Sequence, residues 1–476
     1  MLRPVVFVFL FLSLHIGFAA SVDSTLTDST RSFNKYIIVN NINVTGNTIT
    51  QKKIILRELP FKAGDTIPFI LLQRELLRAK NNIMNTSLFN FVNVDTVPFY
   101  ADRKNISIDV AERWYIFPVP IFEIAERNFN TWLENPNLAR ANYGFYVNDE
   151  NFRGLKEKLS LKVRFGYAEQ YGLTYTIPYL DQRQISGMGF DVSYNRNQEI
   201  GYKTYGDQLY YFKDPGKYIR DAWVGRINYS RRSGLYNTYT AEMRFIKSSI
   251  ADTVVSLTKD YFSGNSTIFE MFVASCGFRR DFRDSKVYPL KGYYFGIDIV
   301  KQGLGILKDE SVNILYTSIA IRKYAQLHDR LYLGASVESK ISTYGKQPYY
   351  IQRALGYGDY VRGYELYVID GQNHVLFQSD FRYQLIKTRV LKLNALPAKK
   401  FNTIPYTFYL SAFADAAYVD DKFYYQYYNN HLPNTWLVGY GVGLDFVTYY
   451  DTVMRFEYAW NGLGQNGFFI HLGAPF

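Results

Sequence analysis

From about Tyr115 to its last residue, Phe476, the chain repeats short segments in which apolar and polar residues alternate, each closed by a turn. Side chains along a strand point to opposite faces at period two, so every such segment presents one apolar and one polar face. In Leu437–Phe446 the apolar face carries Val438, Tyr440, Val442, Leu444 and Phe446, opposite Gly439, Gly441, Gly443 and Asp445. In Lys158–Tyr167 it carries Leu159, Leu161, Val163, Phe165 and Tyr167, opposite Lys158, Ser160, Lys162, Arg164 and Gly166. A water-soluble sandwich alternates in the same way, but 18% Phe, Trp and Tyr, with 44 Tyr, suits the interfacial girdles of a transmembrane β-barrel. Lipid offers backbone N–H and C=O groups no partner, so a sheet that crosses it must close on itself.

The N-terminus agrees on the compartment. Arg3 precedes the apolar run Val5–Gly17, too short to span a bilayer, and small residues follow at Ala19–Ala20–Ser21. Residues 1–19 read as a secretory signal peptide and 20–34 as a flexible polar leader. The only cysteine, Cys276, lies in the apolar setting Met271–Phe278 and reads as a strand residue, with no disulfide available to a monomer. No other segment is long and apolar enough for a membrane helix, in line with a mean hydropathy of −0.19. Export together with a closed sheet points to the outer membrane of a Gram-negative-type bacterium. The net charge of +11 is scattered over strands and loops and forms no basic helix, which argues against nucleic acid as a partner and fits solvated loops beside anionic outer-membrane lipids.

Residues 35–113 follow a different grammar. Tyr36–Val44 reads as a strand, Thr50 as the cap of a first helix ended by Pro60, and Pro68–Asn82 as a second helix with Phe69, Leu72, Leu76, Ala79 and Ile83 on one stripe. Strands over Phe89–Val97 and Asn105–Val110 complete a β-α-α-β-β unit. This order, with Gly46–Asn47 after the first strand, Gly64–Asp65 between the helices and Val110–Ala111–Glu112 at the end, resembles a POTRA domain. That resemblance places residues 35–113 in the periplasm.

Residues 114–476, at roughly 22 per strand and turn, give about sixteen strands. The connections 151–156, 231–234 and 447–451 are tight, whereas 196–218, 247–265, 342–372 and 419–435 are long and belong outside the cell. The connection 387–403, with Lys399–Lys400, is long although it falls on the periplasmic side. The longest outside loop precedes the twelfth barrel strand and contains Val361–Arg362–Gly363–Tyr364, where glycine between large residues suggests a tucked backbone. Alternation points Gln378, Asp380 and Arg382 of the twelfth strand into the lumen, and Tyr409, Phe413 and Asp415 of the thirteenth.

Loop and strands together resemble the BamA/TamA-type superfamily of outer-membrane insertases and translocators, here with one POTRA domain. The resemblance implies that the long loop folds into the lumen, with Arg362 meeting Phe413 and Asp415 and with Asp380 as a second acidic neighbour. A guanidinium can pair with a carboxylate and stack on an aromatic ring, so the contact is chemically sound. Two departures from the family pattern are Ala416–Ala417, where glycine is usual, and Asp380, where glutamate is usual. The final residues Phe468, Ile470, Leu472, Ala474 and Phe476 share one face and look like a C-terminal β-signal. In the family the seam between first and last strands is the weak point; here it would join Ile116–Glu123 to Phe468–Phe476, weakened by Pro475, Gly467 and Gly473.

The function implied is protein assembly, insertion or translocation in the outer membrane, dedicated or accessory, with unfolded outer-membrane or secreted proteins as clients and accessory lipoproteins as further candidate partners. The alternative is a two-partner-type secretion channel or a passive pore, although 20–34 is too short and polar for a plug helix. Catalysis is not expected: the histidines beyond the leader, His328, His374, His431 and His471, stand far apart without a paired partner. Neither a metal site nor a cofactor is legible.

Overall fold

The computed structural model describes residues 36–100, 102–124, 136, 141–214, 216–262, 264–308, 310–343, 345–392, 403–424, 428–448 and 451–476. The expected signal peptide and leader lie outside these residues.

Two units follow one another. The first runs β1 (Tyr36–Thr45), α1 (Lys52–Leu56), β2 (Thr66–Pro68), α2 (Phe69–Met84), β3 (Phe89–Pro98) and β4 (Arg103–Glu112). Its sheet has the order β2-β1-β4-β3, with β1 and β4 parallel. The helix α2 buries Leu72, Leu76, Ala79 and Ile83, spaced at three and four residues, against a core that includes Val39, Ile106 and Ile108. Three details differ from the sequence reading. Phe69 is exposed, because it sits at the first position of α2 before the stripe turns inward. A short strand, β2, pairs antiparallel with β1 ahead of α2. Gln51, not Thr50, stands at the N-cap of α1, because the Thr50 hydroxyl is taken up by Tyr115 Oη at 2.9 Å and by Asn151 Nδ2 at 2.9 Å.

The second unit is a sheet of sixteen antiparallel strands. In chain order they are β5 (Ile116–Ile124), β6 (Ala141–Phe152), β7 (Glu157–Gly166), β8 (Ala168–Ile177), β9 (Ser186–Asn197), β12 (Arg220–Ser233), β13 (Asn237–Ile250), β14 (Ile268–Asp281), β15 (Gly292–Gln302), β16 (Ile314–His328), β17 (Leu331–Ser342), β18 (Asn373–Lys392), β19 (Thr403–Asp420), β20 (Trp436–Thr448), β21 (Val453–Asn461) and β22 (Asn466–Leu472). A separate hairpin, β10 (Glu199–Tyr205) and β11 (Gln208–Lys213), stands in the loop after β9, and a one-turn helix α3 (Asp252–Leu257) in the loop after β13. Outward side chains such as Phe145, Leu173, Ile227, Phe381, Leu410 and Val442 are exposed and apolar, which is the face a bilayer requires. Cys276 is a free strand residue, as expected. The long connection 387–403 has a physical reason in part: β18 and β19 continue their pairing to Lys392 and Thr403. Residues 393–402, with the two lysines, lie outside the described residues.

Among the described residues the strand order ends at β5 and β22. The edges they present can be assigned. The Tyr115 carbonyl accepts the Glu150 N–H at 3.0 Å, so odd-numbered residues of β5 turn their backbone groups to β6 and even-numbered residues turn theirs to the seam. Pro118 and Pro120 are therefore both on the seam edge, and each removes a donor there. The loss of a donor expected at Pro475 does not fall within β22, which ends at Leu472, whereas Pro118 and Pro120 lie within β5.

The small domain docks on the periplasmic rim. Arg113 Nη1 and Nη2 donate to the two Asp451 carboxylate oxygens at 2.7 and 2.9 Å, and Arg232 does the same to Glu58 at 2.7 and 2.8 Å. Asn85 Nδ2 donates to the Asp284 carbonyl at 3.3 Å, and its Oδ1 accepts the Lys286 N–H at 3.0 Å. Tyr115, Leu155 and Tyr179, from the barrel side, pack on the core of the small domain.

Candidate functional site

The loop between β17 and β18 folds back into the lumen and fills the side lined by β18 to β22. Val361 and Tyr364 are buried there with Leu355, Leu376, Ala417 and Leu437. Arg362, 1% exposed, is held from three directions. Its Nε and Nη2 donate to the two Asp415 oxygens at 2.8 and 2.5 Å, and its backbone N–H donates to Asp415 Oδ2 at 3.1 Å. Nη1 donates to Asp380 Oδ1 at 2.6 Å, and Nη2 also donates to the Ser379 carbonyl at 3.1 Å. The guanidinium carbon sits 4.0 Å from the centroid of Phe413. A planar fork paired with a carboxylate edge and stacked on a ring suits arginine and not lysine.

The backbone of the tip needs close approach as well. Gly363 lies at φ +93°, where its carbonyl accepts Asn461 Nδ2 at 2.8 Å. Beneath it, a Cβ on Gly439 would stand 1.8 Å from the Arg362 carbonyl oxygen. The small residue that seats the loop is therefore on β20, and Ala417 on β19 is accommodated as a fully buried contact. The Tyr364 hydroxyl accepts the Gly462 N–H at 3.1 Å, which ties the motif to the turn after β21.

Every motif residue and lumen partner expected from sequence is thus brought together: Val361, Arg362, Gly363 and Tyr364 with Asp380, Phe413 and Asp415. The C-terminal residues separate. Phe468 and Leu472 are exposed on the outer face, whereas Phe476 is buried. The strand ends at Leu472, and the chain then turns inward, so Phe476 stacks on Tyr324 at 5.8 Å between ring centroids and its carbonyl accepts the Tyr324 hydroxyl at 2.8 Å. Sharing a face with Phe468 requires the strand to continue, and it does not.

Sequence reading pointed Arg382 into the lumen but missed the partners it meets there. Asp380 Oδ2 accepts Arg382 Nη2 at 2.8 Å, and Arg382 Nη1 donates to the Pro289 carbonyl at 3.0 Å while its guanidinium lies 4.7 Å from the Tyr288 ring. Tyr288 donates to Asp445 Oδ2 at 2.6 Å. Tyr288 and Pro289 belong to the periplasmic connection between β14 and β15, the same one that Asn85 of the small domain grips. Arg455 and Glu457 on β21 pair at 2.7 Å beside the loop tip. Alternation along Val453–Asn461 could have found these two; nothing local marks Tyr288 as a lumen residue. The opposite side of the lumen stays polar and open, with a cavity of about 370 Å³ lined by residues including Lys162, Asp191, Arg226 and Arg244.

Comparison with known proteins follows the same division. The Omp85 superfamily domain matches residues 151–476, and a POTRA family, the surface antigen variable number repeat, matches 37–113. Among solved structures, BamA from Haemophilus ducreyi lacking POTRA domains 1–3 is similar at 15% identity and a TM-score of 0.50, over 92% of this chain and 83% of that one. CdiB from Escherichia coli is similar at 10% identity and a TM-score of 0.55, over 92% and 75%. Among curated proteins, none matches the chain in sequence.

Proposed function

The chain belongs to the Omp85 superfamily, an outer-membrane β-barrel with a periplasmic POTRA domain, and on that premise we propose that it inserts or translocates a restricted set of client proteins at the outer membrane. The observation that carries this reading is the seam. Among the described strands the order of the sheet runs from β22 to β5, and two prolines remove donors from the outer edge of β5. An edge with unsatisfied backbone groups is a template for another strand. Meanwhile the Arg362 lock holds a loop inside the lumen against β18 and β19, which favours a route through the wall over one along the axis. The client would supply the energy by closing its own hydrogen bonds and moving apolar strands into lipid. The chemistry of this reading needs neither a nucleophile nor a nucleotide. The reading of residues 1–19 as a signal peptide supports export, and the outer-membrane barrel supports a Gram-negative-type cell.

A channel for secretion or passive flux is the second reading, favoured by the open polar half of the lumen. Both are tested with the protein in lipid vesicles, in a Cys276→Ser background, carrying a cysteine pair that joins β5 to β22. The insertase reading expects folding of an added unfolded barrel protein to slow when the pair is oxidised and to recover on reduction. Equal rates in both states, with solute flux through the locked protein, would support the channel instead.

A further inference from the structure

Beside the Arg362 lock, three polar side chains from three segments converge on one point. Glu365 follows the motif in the loop, Glu457 is on β21 and His471 is on β22. His471 Nε2 stands 3.3 Å from Glu365 Oε1 and 3.3 Å from Glu457 Oε2. These three ligand-type atoms all lie within 4.8 Å of one another. The glutamate side chains are 1% and 2% exposed and the histidine 10%.

Each carboxylate has its other oxygen committed elsewhere. Glu457 Oε1 accepts Arg455 Nη1 at 2.7 Å, and Glu365 Oε2 accepts the Gly363 N–H at 2.8 Å. That turns Glu457 Oε2 and His471 Nε2, neither of which makes a hydrogen bond, into the shared space. The remaining imidazole nitrogen, Nδ1, is 2.9 Å from the Tyr360 hydroxyl, which also accepts Arg455 Nη2 at 3.2 Å. The Tyr360 and His471 rings stack at 5.1 Å, which fixes the imidazole plane.

We propose that Glu365, Glu457 and His471 bind a divalent first-row metal ion of the zinc class, which pins the tucked loop to the last two strands. The spacing suits it: metal–ligand bonds of about 2.0–2.1 Å in a tetrahedron separate ligand atoms by about 3.3 Å. One imidazole and two carboxylates form a borderline donor set, and a hydrogen bond on the far imidazole nitrogen is the usual support for a ligating histidine. Charge points the same way. Arg362, Arg382 and Arg455 face five buried carboxylates, those of Asp380, Asp415 and Asp445 besides the two glutamates. A buried excess of negative charge is costly, and a divalent ion balances it. The site does not depend on which client the protein handles or on whether the seam opens.

The test uses the purified full-length protein, stripped with a chelator and titrated with Zn²⁺, with bound metal counted after gel filtration. Co²⁺ absorption in the visible range gives an independent view of the ligand field. The expected result is one tightly held equivalent. Affinity should fall at least tenfold in His471→Gln and in Glu457→Gln, and by about 10–100-fold in Tyr360→Phe. Glu365→Gln, in the loop and outside any strand, carries the same test if the strand variants do not fold. Chelation should also expose the 342–372 loop to protease in the wild type and leave the variants unchanged. No binding by the folded wild type, or equal binding by wild type and every folded variant, overturns the proposal.

Discussion

At Arg362, deleting the side chain leaves Asp415 buried without its cation, while Asp380 keeps Arg382. Breaking a buried pair from one side typically costs about 3–5 kcal/mol. Arg362→Ala should therefore release the loop while the barrel, held by its ladders, stays folded: limited proteolysis should cut within 342–372, and the unheated protein should keep its compact gel mobility. Arg362→Lys should release it nearly as well, since an ammonium cannot make the two-pronged contact with Asp415 and stack on Phe413 together. Gly439→Ala reaches the same state without touching a charge, because its methyl group would meet the Arg362 carbonyl; an uncut loop in that variant would contradict the seating described. Much of this site was legible, because period two alone turned Asp380, Arg382, Phe413 and Asp415 inward. Glu365, Glu457 and His471 were not, since a loop and two strands must fold before they meet. Phe476 was misread because alternation was carried past the residue at which the strand stops.

Among elements, the joint between the small domain and the barrel depends on Arg232 of β12 and Glu58. Burial pushes the Glu58 carboxyl up, but the Arg232 guanidinium outweighs it and holds the group at about 2. A depressed carboxylate contributes stability that is complete above its unfolded value, near 4.5, and is lost as pH falls toward 2. The wild-type joint should thus hold at pH 5. In Arg232→Gln the buried carboxylate loses its partner and burial pushes the group up, so docking should be weakest at neutral pH and recover on acidification as the carboxyl takes up a proton, read as a spin-label distance between α2 and β12 that shortens as pH falls. At the seam, Pro118→Val with Pro120→Val restores two donors, each worth about 1 kcal/mol when paired. Hydrogen exchange along β5 should slow, and so should client insertion. The faces of the barrel strands followed from alternation, whereas the seam-edge prolines needed the register of β5 on β6, which no local pattern encodes. Thr50 likewise looked like a helix cap until Tyr115 and Asn151, distant in sequence, claimed its hydroxyl.

For the whole molecule, contacts run without interruption from the periplasmic domain to the outside loop. Asn85 grips the connection that carries Tyr288 and Pro289, Arg382 rests on that connection, and Asp380 bridges Arg382 to Arg362. The small domain and the lumen loop are thus positioned by one another, beside a wall with a single unpaired seam among the described strands. The sixteen strands and the periplasmic unit were visible in composition and period. The continuous link between them was not, because it is built from side chains of the turns. The central claim is that this assembly serves a restricted set of clients. Quantitative proteomics of purified outer membranes after depletion of the protein tests it most directly. The account expects one or a few outer-membrane or exported proteins to disappear while the rest keep their abundance. An unchanged inventory would contradict it.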